Sequence, residues 1–391
     1  MRWDIHHETQ ATTITKNKKE TMMTSRDRIR NAISHKESDR IPIHDSPWGA
    51  TVNRWRKEGM PDDIPPQEYF EYEMVSCSAD LSPRFPIKIL EKNEFYITET
   101  TPYGGVRKNF RDYSTTPEVI GWPIKSRADW NEIRPRLEPD YTRVDWVSAR
   151  TTYERAKEEG KYITFNGAMG YDYFQAYLKT EELLMALLTD PEWIREMFRS
   201  AADLLIEMAR MMMEKGFKFD GAFLFNDMGY RNGLLFSPDV YRDLLQETDE
   251  KVCSFFHVHD MPVILHSCGC VKELIPFLIE SGFDCLQPLE VKAGMDLIEL
   301  KALYGDKMAY MGGIDVRAMA DPDPAVIVEE ISSKIEVAKQ GGGYIYHSDH
   351  SIPKNVSFQQ YRHVMELVRE HGQYGEVSLE SAHAGLHVLS P

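Results

Sequence analysis

The residues of this chain best suited to hold a metal ion are a histidine and a cysteine two positions apart, in His266-Ser267-Cys268. A neutral imidazole and a thiolate are preferred Zn²⁺ ligands, and a catalytic zinc takes three protein ligands and leaves one position open. An H-x-C pair on a loop directs both side chains towards one point. The pair alone is equally typical of a helix-capping histidine beside a packed cysteine, so further ligands are needed.

Other metal-capable and ionisable side chains follow short apolar runs elsewhere in the chain. They are His44, Asp45, Asn226, Asp227, Glu290, Asp315, His347 and His350. Nitrogen, sulfur and oxygen ligands together suit zinc better than magnesium or calcium. Glu290 and His350 are the candidate partners of the H-x-C pair, and His347 competes with His350 because the two lie three residues apart. Asp227 is interpreted as a general base, a substrate-orienting group or a cap for the next loop.

These side chains can meet only if the elements that precede them end at a common edge. From residue 40 onwards short apolar strands alternate with amphipathic helices, which is typical of parallel strands joined by helical crossovers. The predicted strands begin near Arg40, Tyr162, Ala222, Pro262, Asp284, Met308 and Tyr344. Seven or eight strands suit a closed (β/α)8 TIM barrel of the α/β class, whose active sites lie at the C-terminal ends of the strands. An open doubly wound sheet is the alternative, but no G-x-G-x-x-G follows any strand.

One stretch, residues 46–140, fits this alternation least. The runs 95–100 and 106–110 flank Pro102-Tyr103-Gly104-Gly105, which predicts a β-hairpin inserted near the C-terminal rim of the barrel.

The two ends of the chain lack apolar periodicity. Residues 1–24 and 375–391 are predicted to be a flexible extension and a flexible tail, which leaves a single barrel domain over 25–374. Ser25 is predicted to cap the first helix.

The composition of the 391 residues restricts the class of protein. With 42% hydrophobic residues a packed core can form, and with 62 acidic against 46 basic residues the net charge is -16. This charge argues against nucleic acid or an anionic membrane surface as a partner. No apolar run approaches the roughly 18 residues of a membrane span, and five cysteines do not suggest a disulfide framework. We therefore expect a cytoplasmic protein.

Taken in order, several short segments resemble the uroporphyrinogen decarboxylase superfamily, and within it the zinc-dependent, cobalamin-linked methyltransferases. The resemblance covers about residues 24–373. The matching segments are Thr24-Ser25-Arg26-Asp27-Arg28, Ser38-Asp39-Arg40-Ile41-Pro42, Leu188-Thr189-Asp190-Pro191-Glu192, Asp227-Met228-Gly229, Ser237-Pro238, Leu265-His266-Ser267-Cys268-Gly269, Met311-Gly312-Gly313-Ile314-Asp315 and Ile352-Pro353. It implies a (β/α)8 barrel, in agreement with the alternation.

The resemblance also implies a ligand set. In that branch zinc is held by the histidine and cysteine of the H-x-C motif and by a later cysteine just before an Ile-Pro pair, where this chain has His350. The implied ligands are therefore His266, Cys268 and His350, with Glu290 as a fourth group until substrate displaces it. A neutral imidazole in place of a thiolate leaves the metal more positive and a better Lewis acid. We therefore expect the zinc to polarise an oxygen leaving group.

The implied activity is a methyltransferase, an O-demethylase component that takes the methyl group from a small methoxylated, aromatic compound. The acceptor is the cob(I)alamin of a separate corrinoid protein. Asp227 and Glu290 are the predicted catalytic residues. Asp227 and Asn226 are predicted to orient the substrate, and Trp48 and Tyr103 to wall it from water. The sequence leaves the oligomeric state open, a homodimer included.

Three alternatives remain open from the sequence. The same fold could move a methyl group from methylcobalamin to a thiol, with Cys270 as a third thiolate ligand. A tetrapyrrole decarboxylase needs no metal but grips propionates with an arginine-rich stretch, and residues 45–51 hold no arginine. A non-enzymatic corrinoid-binding or metal-binding protein would show no turnover.

Overall fold

The computed structural model describes residues 23–112 and 116–375. The predicted extension and tail therefore lie outside the described residues, except at their inner ends. The first helix begins at Ser25, but its cap is Thr24, whose hydroxyl accepts the N–H of Asp27 at 3.1 Å. Ser25 was therefore predicted one position too late as the cap.

The elements alternate along most of the chain. The helices are α1 (Ser25–Ile33), α2 (Gly49–Lys57), α3 (Pro66–Tyr69), α4 (Arg127–Ile133), α5 (Trp146–Glu158), α6 (Gly170–Gln175), α7 (Thr180–Thr189), α8 (Pro191–Glu214), α9 (Pro238–Leu244), α10 (Gln246–Val258), α11 (Ile275–Ser281), α12 (Leu297–Tyr304), α13 (Val316–Met319), α14 (Pro324–Ala338) and α15 (Phe358–His371). The strands are β1 (Met74–Ser78), β2 (Ile89–Lys92), β3 (Tyr96–Thr100), β4 (Val106–Phe110), β5 (Glu118–Gly121), β6 (Tyr162–Ala168), β7 (Gly221–Phe225), β8 (Gly229–Tyr230), β9 (Gly233–Leu234), β10 (Val263–His266), β11 (Cys285–Gln287), β12 (Ala309–Met311) and β13 (Tyr344–Ile345).

Seven of these strands form one parallel sheet in the order β1-β6-β7-β10-β11-β12-β13. The segment 41–44 lies between the two outer strands of this sheet. The N–H of Tyr346, just after β13, donates to the carbonyl of Pro42 at 2.9 Å, and His44 returns a bond to the carbonyl of Tyr346 at 3.1 Å. On the other side the N–H of Glu73, just before β1, donates to the carbonyl of Ile43 at 2.9 Å. The segment is thus an eighth strand that closes the sheet, which confirms the predicted (β/α)8 barrel.

The inserted region contains the predicted hairpin and more. Strands β3 and β4 pair antiparallel with Thr100 opposite Val106, and β2 and β5 extend them to a four-stranded sheet. The region also holds β1, a barrel strand that the sequence analysis did not predict.

The barrel encloses an apolar core of its own. Its members come from the strands and from α1, and they are Ile29, Ala32, Ile33, Met74, Tyr162, Phe223, Ile264, Cys285, Ala309, Met311 and Ile345. The N–H of Gly343, which precedes β13, donates to the carbonyl of Ala32 at 2.9 Å. Helix α1 therefore closes the N-terminal end of the barrel and leaves the other end open.

No helix in the described part of the chain is both long and apolar enough to cross a membrane.

Candidate functional site

A cavity of about 590 Å³ opens at the C-terminal ends of the barrel strands. Its lining includes His44, Trp48, Ser76, Asn166, Phe225, Asp227, His266, Cys268, Gln287, Glu290, His347 and His350. Among the described residues, no lysine or arginine lines it. Predicted residues of distant segments therefore meet at this cavity, among them His266, Cys268, Glu290 and His350. Asp45 and Asp315, also predicted, do not line it: Asp45 accepts the hydroxyl of Tyr361 at 3.0 Å, and Asp315 pairs with Arg317 at 2.6 Å.

The potential ligands form two overlapping groups. Asp227, His266 and Cys268 are one group, and Cys268, Glu290 and His350 are the other. Within each group the ligand atoms lie within 4.8 Å of one another. Ligands of a tetrahedral zinc at about 2.0–2.3 Å lie roughly 3.3–3.8 Å apart, so small side-chain movements would bring either group to bonding geometry. His266 and His350 share no group among the described residues; Cys268 is the member common to both.

The turn after β10 fixes the position of Cys268. Its N–H donates to Oδ1 of Asp227 at 2.7 Å. The hydroxyl of Ser267 accepts the N–H of Met228 at 3.1 Å. At Gly269 φ is +79°, and a Cβ would lie 2.5 Å from the backbone nitrogen of Tyr230, so only glycine fits there. The thiol and the carboxylate of Asp227 are therefore held side by side by backbone contacts.

The imidazole of His266 is oriented as in a metal-binding histidine. Its Nδ1 is hydrogen-bonded to Oε1 of Gln287, so Nδ1 carries the proton. Its Nε2 lies 3.3 Å from Sγ of Cys268 and 3.5 Å from Oδ1 of Asp227. Burial lowers the pKa of His266 and favours the neutral ring. The nitrogen that points at the cluster therefore has a free lone pair.

The charge of the cluster fits a divalent cation. Burial, followed by the carboxylates of Asp227 and Glu290, raises the pKa of the Cys268 thiol. Glu290 is only 7% exposed, and the nearest ammonium group, that of Lys292, is 3.8 Å away. Lys292 pairs with Glu290 but does not line the cavity, and the two carboxylates, the thiol and the two imidazoles together form a donor set that suits zinc.

The two competing histidines differ in their surroundings. The ring of His350 stacks on that of Trp48, with centroids 6.1 Å apart, and its Nε2 lies 3.9 Å from Oε1 of Glu290. His347 is buried, and its Nδ1 donates to the carbonyl of Ser348 at 2.6 Å. Among the described residues, His350 and not His347 belongs to a ligand group with Cys268.

The structure corrects two predicted substrate contacts. Asn226 is fully buried, and its Oδ1 accepts the N–H of Asp172 at 3.1 Å, so it fixes the backbone of α6. It follows Phe225, and because successive residues of a strand point to opposite faces, only Phe225 enters the cavity. Tyr103 packs edge-on against Tyr173 and Tyr177 and does not line the cavity. Trp48 lines the cavity, and its contact with substrate stays a prediction.

Cys270, considered as a third thiolate, belongs to neither ligand group. Its N–H donates to the carbonyl of Tyr230 at 2.9 Å, and its partly buried side chain packs against a second apolar core, which is separate from the core inside the barrel.

Sequence reasoning missed several polar residues of the site. Gln287, Ser76 and Asn166 line the cavity but carry no charge, so nothing in the sequence marked them. Asp172 lies beside the cluster, where burial and the neighbouring Asp227 raise its pKa to about 7.

Comparisons with known proteins agree with this architecture. A methylated-thiol–coenzyme M methyltransferase of Methanosarcina mazei is 22% identical over 229 residues, which span 52% of this chain and 57% of the length of that relative. A solved methyltransferase from Methanosarcina mazei superposes with a TM-score of 0.64 over 89% of this chain and 98% of that chain, at 16% identity, which shows a shared fold. The uroporphyrinogen decarboxylase (URO-D) family model matches residues 96–371. The chain therefore belongs to the uroporphyrinogen decarboxylase family.

Proposed function

We propose that this chain is a zinc-dependent methyltransferase that demethylates a small methoxylated aromatic compound and passes the methyl group to the reduced cobalamin of a corrinoid protein. The observation that carries the proposal is the cluster of potential ligands around Cys268 at the open end of the barrel. The names of the two Methanosarcina mazei proteins support methyl transfer as the reaction class.

The residues of the cluster would hold the metal as an open site. His266, Cys268 and His350 would be the ligands, with Glu290 as the group that substrate displaces. Bound there, zinc would supply a Lewis acid that stabilises the negative charge on the ether oxygen as the methyl group leaves. Asp227 and Glu290 would exchange a proton with that oxygen. Their membership of the two ligand groups that contain Cys268 supports these roles.

An aromatic wall adjoins the cluster. The ring of Phe225 lies 5.1 Å from that of His266 and 5.1 Å from that of Phe223. Trp48 stacks on His350 on the other side of the cluster. A planar methoxyarene would pack its ring on these side chains and place its ether oxygen beside Cys268. These rings would shield the reacting atoms from water on the sides that they cover.

The test combines metal analysis with a transfer assay. The wild type, His266→Ala and the control His259→Ala, at an exposed histidine, are analysed for zinc and assayed for methylation of cob(I)alamin over a panel of methoxyarenes. We expect about one zinc per chain in the wild type and the control, and at least a tenfold loss of zinc and of transfer in His266→Ala. Full zinc content in His266→Ala, or a zinc-loaded wild type that demethylates no ether, would overturn the proposal.

A second candidate is transfer from methylcobalamin to a thiol, which the name of the curated relative favours. The cluster of this chain has one thiol and two imidazoles, whereas Cys270 lies outside it. The same assay run with methylcobalamin and small thiols separates the two reactions. Decarboxylation of a tetrapyrrole is disfavoured because, within the described residues, no lysine or arginine lines the cavity to bind several carboxylates.

A further inference from the structure

The wall of the cavity opposite Cys268 carries polar side chains that belong to neither group of potential metal ligands. In the closed barrel the segment 41–44 lies four strands from β10 in either direction, because it joins β13 to β1. His44 ends that segment as His266 ends β10, and both line the cavity. A ligand that extends from Cys268 to the opposite wall of the cavity would therefore contact the side chain of His44.

One nitrogen of the His44 imidazole has no hydrogen-bond partner in the described part of the chain. This atom, Nδ1, is buried. The ring of Tyr72 lies 5.7 Å away, but its hydroxyl is bonded to that of Tyr361 at 2.8 Å, and the ring of His347 is 6.2 Å away. A buried polar atom without a partner is uncommon in folded proteins. Because His44 lines the cavity, a ligand there would approach the ring that carries this atom.

The imidazole of His44 is also uncharged. Burial, with minor contributions from His347 and Lys161, lowers its pKa to about 3. Lys161 does not reach the cavity, since its ammonium group donates to the carbonyl of Tyr72 at 2.7 Å. A neutral imidazole can donate one hydrogen bond and accept another, which matches a hydroxyl group.

The polar side chains between His44 and the cluster are neutral as well. Ser76 lines the cavity, and so does Asn166, whose Oδ1 accepts the hydroxyl of Thr164 at 2.6 Å and leaves its amide group free to donate. Among the described residues of the lining, the carboxylates are those of Asp227 and Glu290. A ligand carboxylate at this wall would lose its hydration and, among the described lining residues, gain no cation.

We infer that the cavity selects an uncharged methoxyarene that carries a ring hydroxyl, with the ether at Cys268 and the hydroxyl at His44, and rejects rings that carry a carboxylate. The inference rests on the proposed function for the identity of the ether. Phe223 and Phe225, on the strand between Asn166 and His266 in the sheet order, hold the ring.

Binding, measured without turnover, tests this inference. The zinc-loaded full chain, without any corrinoid protein, is titrated calorimetrically with 4-methoxyphenol, methoxybenzene and 4-methoxybenzoate, which differ in one substituent. We expect 4-methoxyphenol to bind about tenfold more tightly than methoxybenzene, because one additional hydrogen bond contributes about 1.4 kcal/mol to binding. We expect 4-methoxybenzoate to bind more weakly than both. His44→Phe should weaken the phenol about tenfold and change methoxybenzene less than twofold, whereas His44→Arg should favour the benzoate. His259→Phe, at an exposed site, should change nothing.

Three outcomes of these titrations would contradict the inferred selectivity for an uncharged methoxyphenol. Equal binding of phenol and benzoate by the wild type, no measurable binding of the phenol, or equal weakening of all three compounds in His44→Phe would overturn the inference. If His44→Phe does not fold, Ser76→Ala replaces it and should reduce the preference for the phenol about threefold. Selective binding without methyl transfer would contradict the proposed function and leave this inference standing.

Discussion

Gln287 carries no charge, yet it decides which nitrogen of His266 can bind a metal. Because Oε1 of Gln287 holds the proton on Nδ1, Nε2 is left free towards Cys268. We expect Gln287→Leu to lower the affinity for zinc roughly 10- to 100-fold, which is the usual effect of losing such a supporting bond. Competition with a chromophoric chelator measures it, with Gln359→Leu at an exposed position as the control. Unchanged affinity in Gln287→Leu would show that the ring is oriented by its packing alone.

The raised pKa of the Cys268 thiol leads us to expect that zinc binding depends on pH. Burial and two carboxylates raise its pKa, so the thiol is protonated in the metal-free protein around neutral pH. Zinc binds the thiolate and must displace this proton. Its apparent affinity should therefore rise about tenfold per pH unit from pH 6 to pH 8.

Calorimetry in buffers of different ionisation enthalpy counts the proton released in this reaction. We expect about one proton from the thiol for each zinc bound, and Cys268→Ser, which has no acidic thiol, should abolish the release. No release from the wild type would mean that the thiol is already ionised.

At the scale of elements, one buried carboxylate holds the closing strand in place. Glu73 is 1% exposed and accepts the N–H of Ile43 at 2.6 Å, a guanidinium hydrogen of Arg40 at 2.9 Å, and one of Arg28 from helix α1. Glu73→Ala leaves Arg28 buried without that carboxylate, so we expect the free energy of unfolding to fall by about 3–5 kcal/mol. Denaturant unfolding followed by circular dichroism measures the change.

The neighbouring Glu71 offers a matched control. Its side chain is 73% exposed and pairs with Arg369 at 3.2 Å. Glu71→Ala should cost less than about 1 kcal/mol, because exposed ion pairs contribute little. Equal losses for the two variants would mean that Glu73 does not hold the closing strand in the way described.

The elements also show where sequence reasoning succeeds and where it cannot. Strands β6, β7 and β10 consist mostly of apolar residues because helices cover them outside and the core fills the barrel inside, and their apolar runs were recognised. Strand β1 was missed because Ser76 faces the cavity, where no apolar packing is required. The H-x-C pair and Glu290 were found as candidate site residues because their side chains can bind metal. Gln287, Ser76 and Asn166 of the cavity wall were missed because neutral polar side chains carry no such signal.

At the scale of the whole molecule, the core of the barrel and the group of potential ligands around Cys268 lie in separate parts of the structure. The interior of the barrel is filled by its own apolar core, which helix α1 closes at one end, and the cluster lies beyond this core at the other end. A fold of this kind does not need a metal ion to assemble, unlike small domains whose folding is coupled to zinc.

Removal of the metal should therefore leave a folded protein. We expect chelator-treated protein to keep its circular dichroism spectrum and its cooperative melting, and zinc at one hundred times its dissociation constant to add about 2.7 kcal/mol, or several degrees in Tm. Differential scanning calorimetry with and without zinc measures the shift, and His266→Ala should show little of it because one ligand is gone. If the chelated protein shows no cooperative melting, metal binding contributes to the stability of the barrel itself. The open cavity proposed for substrate binding would then form only when the metal is bound.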